Sequence, residues 1–323
     1  MQNGKNDRIL LSVVVPLFNE EDNLQALFAR FKEIEAQLSN VEFEFIFVDD
    51  GSGDNTFSIA SNLCKQHSNI TVLKFDRNYG SHPAIAAGFA ASRGDCVMFI
   101  AGDLQDPPAL IAEMIDRWKD GAKIVWAART VVQNQPFKDM MFSVLYWGFF
   151  NVSVRHPVPA RGVDFFLVDK SVVDAIRPNA QKEEPIFAQI TETGLSSTVV
   201  RYTKQARASG KSGWTLKKKL DLVFQTLIYS PLPAAKAGMM AIAAYITALV
   251  FWPLSRKYLT GVAGDAVFAV IGTLLLVGAL LNLIAAVTLF VYHLRLKARS
   301  GNSARFVIQE KVLSKSSMGI LQE

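Results

Sequence analysis

Apolar positions in the first 130 residues fall into two alternating rhythms. Short continuous runs, Ile9–Val15, Phe43–Val48, Val72–Phe75, Cys96–Ile100 and Ile124–Ala128, have the length and the β-branched or aromatic content of buried strands. After the first run, Leu24, Leu27, Phe28, Phe31, Ile34 and Leu38 return at helical spacing, the stripe of an amphipathic helix. Asp54 or Asn55 would cap the helix that follows the second run. Strands alternating with helices imply an α/β domain, a mainly parallel sheet with helices on both faces. From about 131 to 215 the regularity is lost. Residues 137–154 are aromatic-rich, Ser196–Tyr202 reads as another strand, and Arg207–Trp214 is a basic, glycine-containing loop.

The rhythm changes again in the last third. In Leu216–Tyr229 the apolar Leu216, Leu220, Val223, Phe224, Leu227 and Ile228 share one stripe, and Lys217–Lys219 begin it. A basic start and a wide apolar face suit a helix lying in a membrane interface. Ala237–Leu254 and Ala266–Tyr292 contain no charged residue. A bilayer core takes about 20 apolar residues in a helix, so both read as transmembrane helices, with Trp252, Tyr258 and Tyr292 at the interfaces. The expected organisation is a domain over 1–215, an interfacial helix over 216–230, a two-helix membrane hairpin over 231–294 and a tail over 295–323.

Charge orients that arrangement. Lys211, Lys217–Lys219 and Lys236 precede the first span, and Arg295, Lys297, Arg299 and Arg305 follow the second, whereas the loop between carries only Arg256 and Lys257. The positive-inside tendency places both ends in the cytoplasm. Net charge over the 323 residues is +5, a balance that suits nucleic acid or an anionic membrane. The basic residues flank apolar spans and form no aromatic-interleaved stripe, which excludes nucleic acid as the partner and favours membrane lipid. Cys64 and Cys96 sit in apolar settings and make no disulfide framework, as expected in a reducing compartment. Met1–Arg8 lacks the apolar core of a signal peptide.

In parallel sheets ligands bind beyond the carboxyl ends of the strands. This chain sets Asn19-Glu20, Asp49-Asp50, Asp76 and Asp103 there. Asp103 and Gln105, two apart on extended backbone, would share one face. Their oxygens suit a hard divalent cation whose other sites are filled by phosphate and water. Pro107 and Pro108 then turn the chain.

Pro16-Leu17-Phe18-Asn19-Glu20-Glu21, Asp49-Asp50-Gly51-Ser52, Arg77-Asn78-Tyr79-Gly80 and Asp103-Leu104-Gln105-Asp106-Pro107-Pro108 occur in this order, ahead of two apolar stretches. The set resembles the polyprenyl-phosphate glycosyltransferases of family 2, which include dolichyl-phosphate mannose synthases and bactoprenol glucosyltransferases. The resemblance implies the GT-A fold, a Rossmann-like α/β architecture. It implies an inverting, metal-dependent transfer from a UDP- or GDP-linked sugar to a polyprenyl phosphate at the cytoplasmic membrane face, and a homo-oligomer. Pro16, Phe18 and Glu20 would line the base and ribose pocket, and Asp49, Asp50 and Asp76 would serve the nucleotide, with Asp50 preferred to Asp49. Asp103 and Gln105 would hold Mg²⁺ or Mn²⁺. Arg129, with Arg207 and Lys211, would meet the acceptor phosphate, and Asp164 would stand at the reaction centre. Two positions depart from the family pattern. Ala101 replaces a frequent acid, and Phe166 a frequent arginine for which Arg161 would be the substitute in space. Two other readings stay open: a family 2 transferase with another lipid or saccharide acceptor, and an inactive membrane adaptor of the same fold.

Overall fold

The computed structural model describes residues 8–130, 163–181, 185–203 and 306–314, together with separate positions between 143 and 159 and between 277 and 294. The chain alternates β1 (Ile9–Leu17), α1 (Leu24–Gln37), β2 (Val41–Asp49), α2 (Thr56–Gln66), β3 (Ile70–Phe75), α3 (Ser81–Ala91), β4 (Cys96–Phe99), α4 (Ile111–Lys119) and β5 (Ile124–Arg129). Then follow β6 (Phe165–Asp169), α5 (Lys170–Ile176), α6 (Ile186–Glu192), β7 (Ser197–Tyr202) and β8 (Ile308–Leu313). One eight-stranded sheet results, in the order β7-β5-β6-β4-β1-β2-β3-β8. It is mainly parallel, with β6 and β8 as the antiparallel members.

The expected strands form, and several run further than their apolar runs. β1 continues through Pro16, which has no N–H to donate. The last residue of β1 paired with β4 is Val14, so Pro16 faces only β2 and interrupts no two-sided ladder. β6 and β8 were not anticipated. β8 lies within the segment expected as a tail, yet it pairs with β3 and closes that edge of the sheet. Its side chains are mostly exposed, so it carries no apolar rhythm to betray it.

Aromatic packing holds the helices on the sheet. Phe43, Phe45 and Phe47 on β2 stack at 5.8 and 6.4 Å, and Phe28 of α1 meets Phe45 edge-on at 5.5 Å. Each fully buried phenyl contributes about 1.5–3 kcal/mol relative to exposure. α3 approaches more closely, because a Cβ on Gly88 would stand 2.2 Å from Val14 Cγ1. At the amino ends of the strands, buried Glu44 accepts from Ser12 Oγ at 2.5 Å and Arg93 Nε at 2.7 Å. A paired charge there stiffens the end of the sheet away from the acidic clusters.

The interfacial helix 216–230, the loop 207–214 and the stretch Ala237–Leu254 lie outside the described residues, as does most of Ala266–Tyr292. Among the described residues no helix is long and apolar enough to cross a membrane.

Candidate active site

β1 leads on to β2 and β3 on one side, while β4 returns to its other side. This reversal opens a crevice beyond the carboxyl ends of β1 and β4, where sheets of this kind take their ligands. Gly102 lets the two loops meet there. A Cβ on it would lie 3.0 Å from Leu17 Cδ2 and 3.6 Å from Glu20 Cγ.

The turn after β1 is knitted to the turn after β2. Asn19 adopts a positive φ of 55°, its N–H donates to Ser52 Oγ at 3.0 Å, and its Oδ1 accepts from Gly53 N at 3.0 Å. Glu20 N donates to Thr56 Oγ1 at 2.8 Å, and Glu20 Oε2 accepts from Asn23 Nδ2 at 2.7 Å. Asp54, not Asn55, bonds the first helical N–H of α2, at Thr56. Pro16 is the penultimate residue of β1, and Phe18 just beyond the strand keeps 40% of its surface exposed.

Asp49 and Asp50 part company. Asp50 accepts from Tyr79 N at 2.6 Å and Gly80 N at 2.8 Å, and so pins the 77–80 loop and the start of α3. Gly51 makes this possible, since a Cβ there would lie 2.4 Å from the carbonyl carbon of Arg77 and its φ is +67°. Asp49 is fully buried, and neither oxygen has a hydrogen-bond partner of ordinary geometry. Burial pushes its carboxyl above the usual range, opposed only in part by weak contacts to Ser52 and by Lys74. A buried carboxylate of this kind is satisfied by an ordered water, an ion or a polar group brought by a ligand. Asp76 is exposed, beside Tyr79, and its N–H donates to Val307 O at 3.3 Å.

After β4 the chain turns sharply. Leu104 is buried at φ 60°, a conformation that costs a leucine about 1–3 kcal/mol. Asp103 Oδ1 accepts from Gln105 N at 3.2 Å across that residue. Asp103 and Gln105 are both half-buried. Among the described residues no three His, Cys, Asp or Glu side chains gather as a self-sufficient metal cage. A carboxylate and an amide oxygen on one strained turn fit a hard cation only when diphosphate oxygens complete its shell.

The third cluster unites residues distant in sequence. Arg129 ends β5 and Asp164 immediately precedes β6, whose strand pairs back along β5. Arg129 Nε lies 3.6 Å from Asp164 Oδ2. Tyr202, at the end of β7, donates its single hydroxyl proton between Asp106 Oδ1 at 2.6 Å and Asp164 Oδ2 at 2.9 Å. Burial, then the two carboxylates, push the Tyr202 phenol far up, so it stays a neutral donor. Sequence reasoning gave Tyr202 no role beyond its strand and Asp106 none beyond its motif. The only signal was the three-residue interval from Asp103 to Asp106, and for Tyr202 there was none. Phe166 is a core residue, packed with Phe89, Phe99, Trp126 and Phe187. A charged side chain in its place would be buried among rings. Arg161, Arg207 and Lys211 lie outside the described residues.

Comparison with known proteins identifies the family of the chain. Residues 12–177 match the glycosyl transferase family 2 model. The chain is 31% identical to an uncharacterized glycosyltransferase, YkcC, of Bacillus subtilis, over 72% of this chain and 73% of that one. It is 30% identical to a prophage bactoprenol glucosyl transferase homolog of Escherichia coli, over 64% and 68%. It is 28% identical to an undecaprenyl-phosphate 4-deoxy-4-formamido-L-arabinose transferase of Pseudomonas aeruginosa, over 82% and 79%. Among solved structures, a mannosyltransferase of Pyrobaculum calidifontis in complex with GDP-Man and Mn²⁺ superposes with a TM-score of 0.46 at 14% identity, over 92% and 88% of the two chains. With the family match extending from β1 into the turn after α5, the chain belongs to glycosyl transferase family 2.

Proposed function

We propose that this protein moves a sugar from a UDP- or GDP-linked donor to a polyprenyl phosphate at the cytoplasmic face of a membrane, with inversion at the anomeric carbon. One observation carries the choice of acceptor. Relatives named for different sugars, glucose and 4-deoxy-4-formamido-L-arabinose, are both named for a bactoprenol or undecaprenyl-phosphate acceptor.

The site chemistry is consistent with that reaction. The buried carboxylate of Asp49 suits an N–H of uracil or guanine, with Pro16, Phe18 and Glu20 around base and ribose and Asp76 at the rim. Asp103 and Gln105 would hold Mg²⁺ or Mn²⁺ together with the donor diphosphate. Bound there, the cation would neutralise the charge that grows on the leaving diphosphate. Arg129 orients the acceptor phosphate by charge-assisted hydrogen bonds, joined by Arg207 and Lys211 from the basic loop. An acceptor oxygen attacks the anomeric carbon, the bond to the diphosphate breaks on the opposite side, and the configuration inverts. The acceptor is already an anion near neutral pH, so no strong base is required. Asp164 instead orients Arg129 and the acceptor.

The two charge-free stretches would span the bilayer with both ends cytoplasmic, keeping a lipid acceptor anchored while its phosphate reacts in water. The test is transfer from radiolabelled UDP- and GDP-sugars to undecaprenyl phosphate by purified protein with Mg²⁺ or Mn²⁺. The expected result is a lipid-extractable product that a chelator abolishes. Donor turnover only onto saccharide acceptors would move the protein to the other branch of its family. Nucleotide binding with no turnover on any acceptor would make it an adaptor.

A further inference from the structure

We propose that Tyr202 is a positioning residue that sets the separation between the diphosphate-binding turn and the acceptor-binding strands; the inference rests on the lipid-phosphate reading above. Asp106 follows Gln105 directly and precedes Pro107 and Pro108, so its carboxylate moves with the turn that carries Asp103. Asp164 and Arg129 belong to the β5–β6 side of the sheet. Tyr202 joins the two. Its hydroxyl lies 2.6 Å from Asp106 Oδ1 and 2.9 Å from Asp164 Oδ2, and that same Asp164 oxygen faces Arg129 Nε at 3.6 Å.

The linkage is rigid at each end. The Tyr202 ring is 5% exposed and meets Phe165 edge-on at 5.2 Å, which fixes the direction of the hydroxyl. Its carbonyl accepts from Thr130 N at 2.8 Å and Thr130 Oγ1 at 3.0 Å, one residue from Arg129. Arg129 and Tyr202 are also register partners on β5 and β7. A serine could not span this distance from the β7 backbone, and a phenylalanine would fill the space without linking the carboxylates. In-line transfer depends on the separation of the acceptor phosphate and the anomeric carbon, and an error of about 1 Å costs on the order of 100-fold in rate. Tyr202 therefore acts on kcat through Asp106 and Asp164, without touching either substrate.

The experiment uses the full chain in detergent with cation, nucleotide-sugar and undecaprenyl phosphate, and compares Tyr202→Phe with the parent protein. The expected result is a kcat lowered about 10- to 100-fold, with donor affinity by calorimetry within about twofold and the melting temperature lowered only by the few degrees that one lost buried hydrogen bond costs. Asp106→Asn, which keeps an oxygen able to accept from Tyr202, should retain more kcat than Asp106→Ala. A parental kcat in Tyr202→Phe overturns the inference alone. So does a parallel fall of kcat, donor affinity and melting temperature, which is the mark of a structural role. If the parent protein itself transfers nothing to undecaprenyl phosphate, the underlying reading falls and this inference falls with it.

Discussion

The two sides of the crevice are built differently. On the proposed donor side, the turns that follow three successive parallel strands do the work. The turns after β1, β2 and β3 are tied by Asn19 to Ser52 and Gly53, by Glu20 to Thr56, and by Asp50 to Tyr79 and Gly80. On the proposed acceptor side, Asp106, Asp164, Arg129 and Tyr202 come from four separate stretches, brought together by the turn after β4 and by β5, β6 and β7 lying side by side. A donor site made of short loops on one parallel set of strands can be reused with many acceptors. An acceptor site assembled from distant strands can change without disturbing it.

The sharpest way to break the comparison is Asp103→Ala, which removes the carboxylate from the turn proposed to hold the cation. Transfer should fall by about 1,000-fold or more, and dependence on added Mg²⁺ or Mn²⁺ should vanish with it. Initial rates across a metal titration check this, and full activity in the variant would remove Asp103 from the metal site. Next in size is Arg129→Ala, expected to lower kcat/KM for the lipid phosphate by about 100-fold while donor KM stays put. Arg129→Lys should recover little, because an ammonium does not reproduce the guanidinium fork held against Asp164. Asp50→Ala should do the reverse. It frees the 77–80 loop, raises donor KM on the order of tenfold, leaves acceptor KM unchanged, and costs about 1–3 kcal/mol of stability for the backbone N–H groups it orphans. If Asp50→Ala and Arg129→Ala moved the same Michaelis constant, the division into two sides would be wrong.

The same division explains what could be read from the sequence. The order of strands and helices up to β5 was legible because buried parallel strands print as continuous apolar runs, and Asp103, Gln105 and Asp49-Asp50 were legible because each closes such a run. Distinguishing Asp49 from Asp50 was not. Adjacent residues on a strand face opposite ways, and only the close approach at Gly51 shows which carboxylate reaches the 77–80 loop. Tyr202 was invisible for a plainer reason. Its partners are 96 and 38 residues away, and a tyrosine closing a half-exposed edge strand looks like any other. β8 was missed because an exposed edge strand needs no apolar alternation, being held by backbone bonds to β3 and by Phe306 stacked on Phe75 at 5.0 Å. Phe166 looked like a departure at the site when read in line, but in three dimensions it serves the core.

The smallest effect on catalysis belongs to Asp169, at the far end of β6 from Asp164. It caps α5, accepting from Ser171 N at 3.0 Å, Ser171 Oγ at 2.5 Å and Trp118 Nε1 at 2.7 Å, with Lys123 Nζ at 3.1 Å. Burial alone would raise its carboxyl, but the bonds from Ser171, Trp118 and Lys123 outweigh it and hold the group down at about 2. An unfolded chain titrates it near 3.9, so the difference is worth about 2 kcal/mol. Because the folded value is the lower one, this stability is complete above about pH 5, where both states are ionised. It drains away as pH falls from about 5 to about 2, where the unfolded chain takes up a proton that the folded one refuses. Asp169→Ala should therefore lower the melting temperature at pH 7 by about 4–8 °C. The gap should narrow to less than half by pH 2.5, while kcat and both Michaelis constants at pH 7 stay near parental values. A gap that kept its full width down to pH 2.5 would mean that cap geometry, not charge, is what Asp169 gives to α5. Any change in the Michaelis constants would mean that the acceptor strand is anchored from both of its ends.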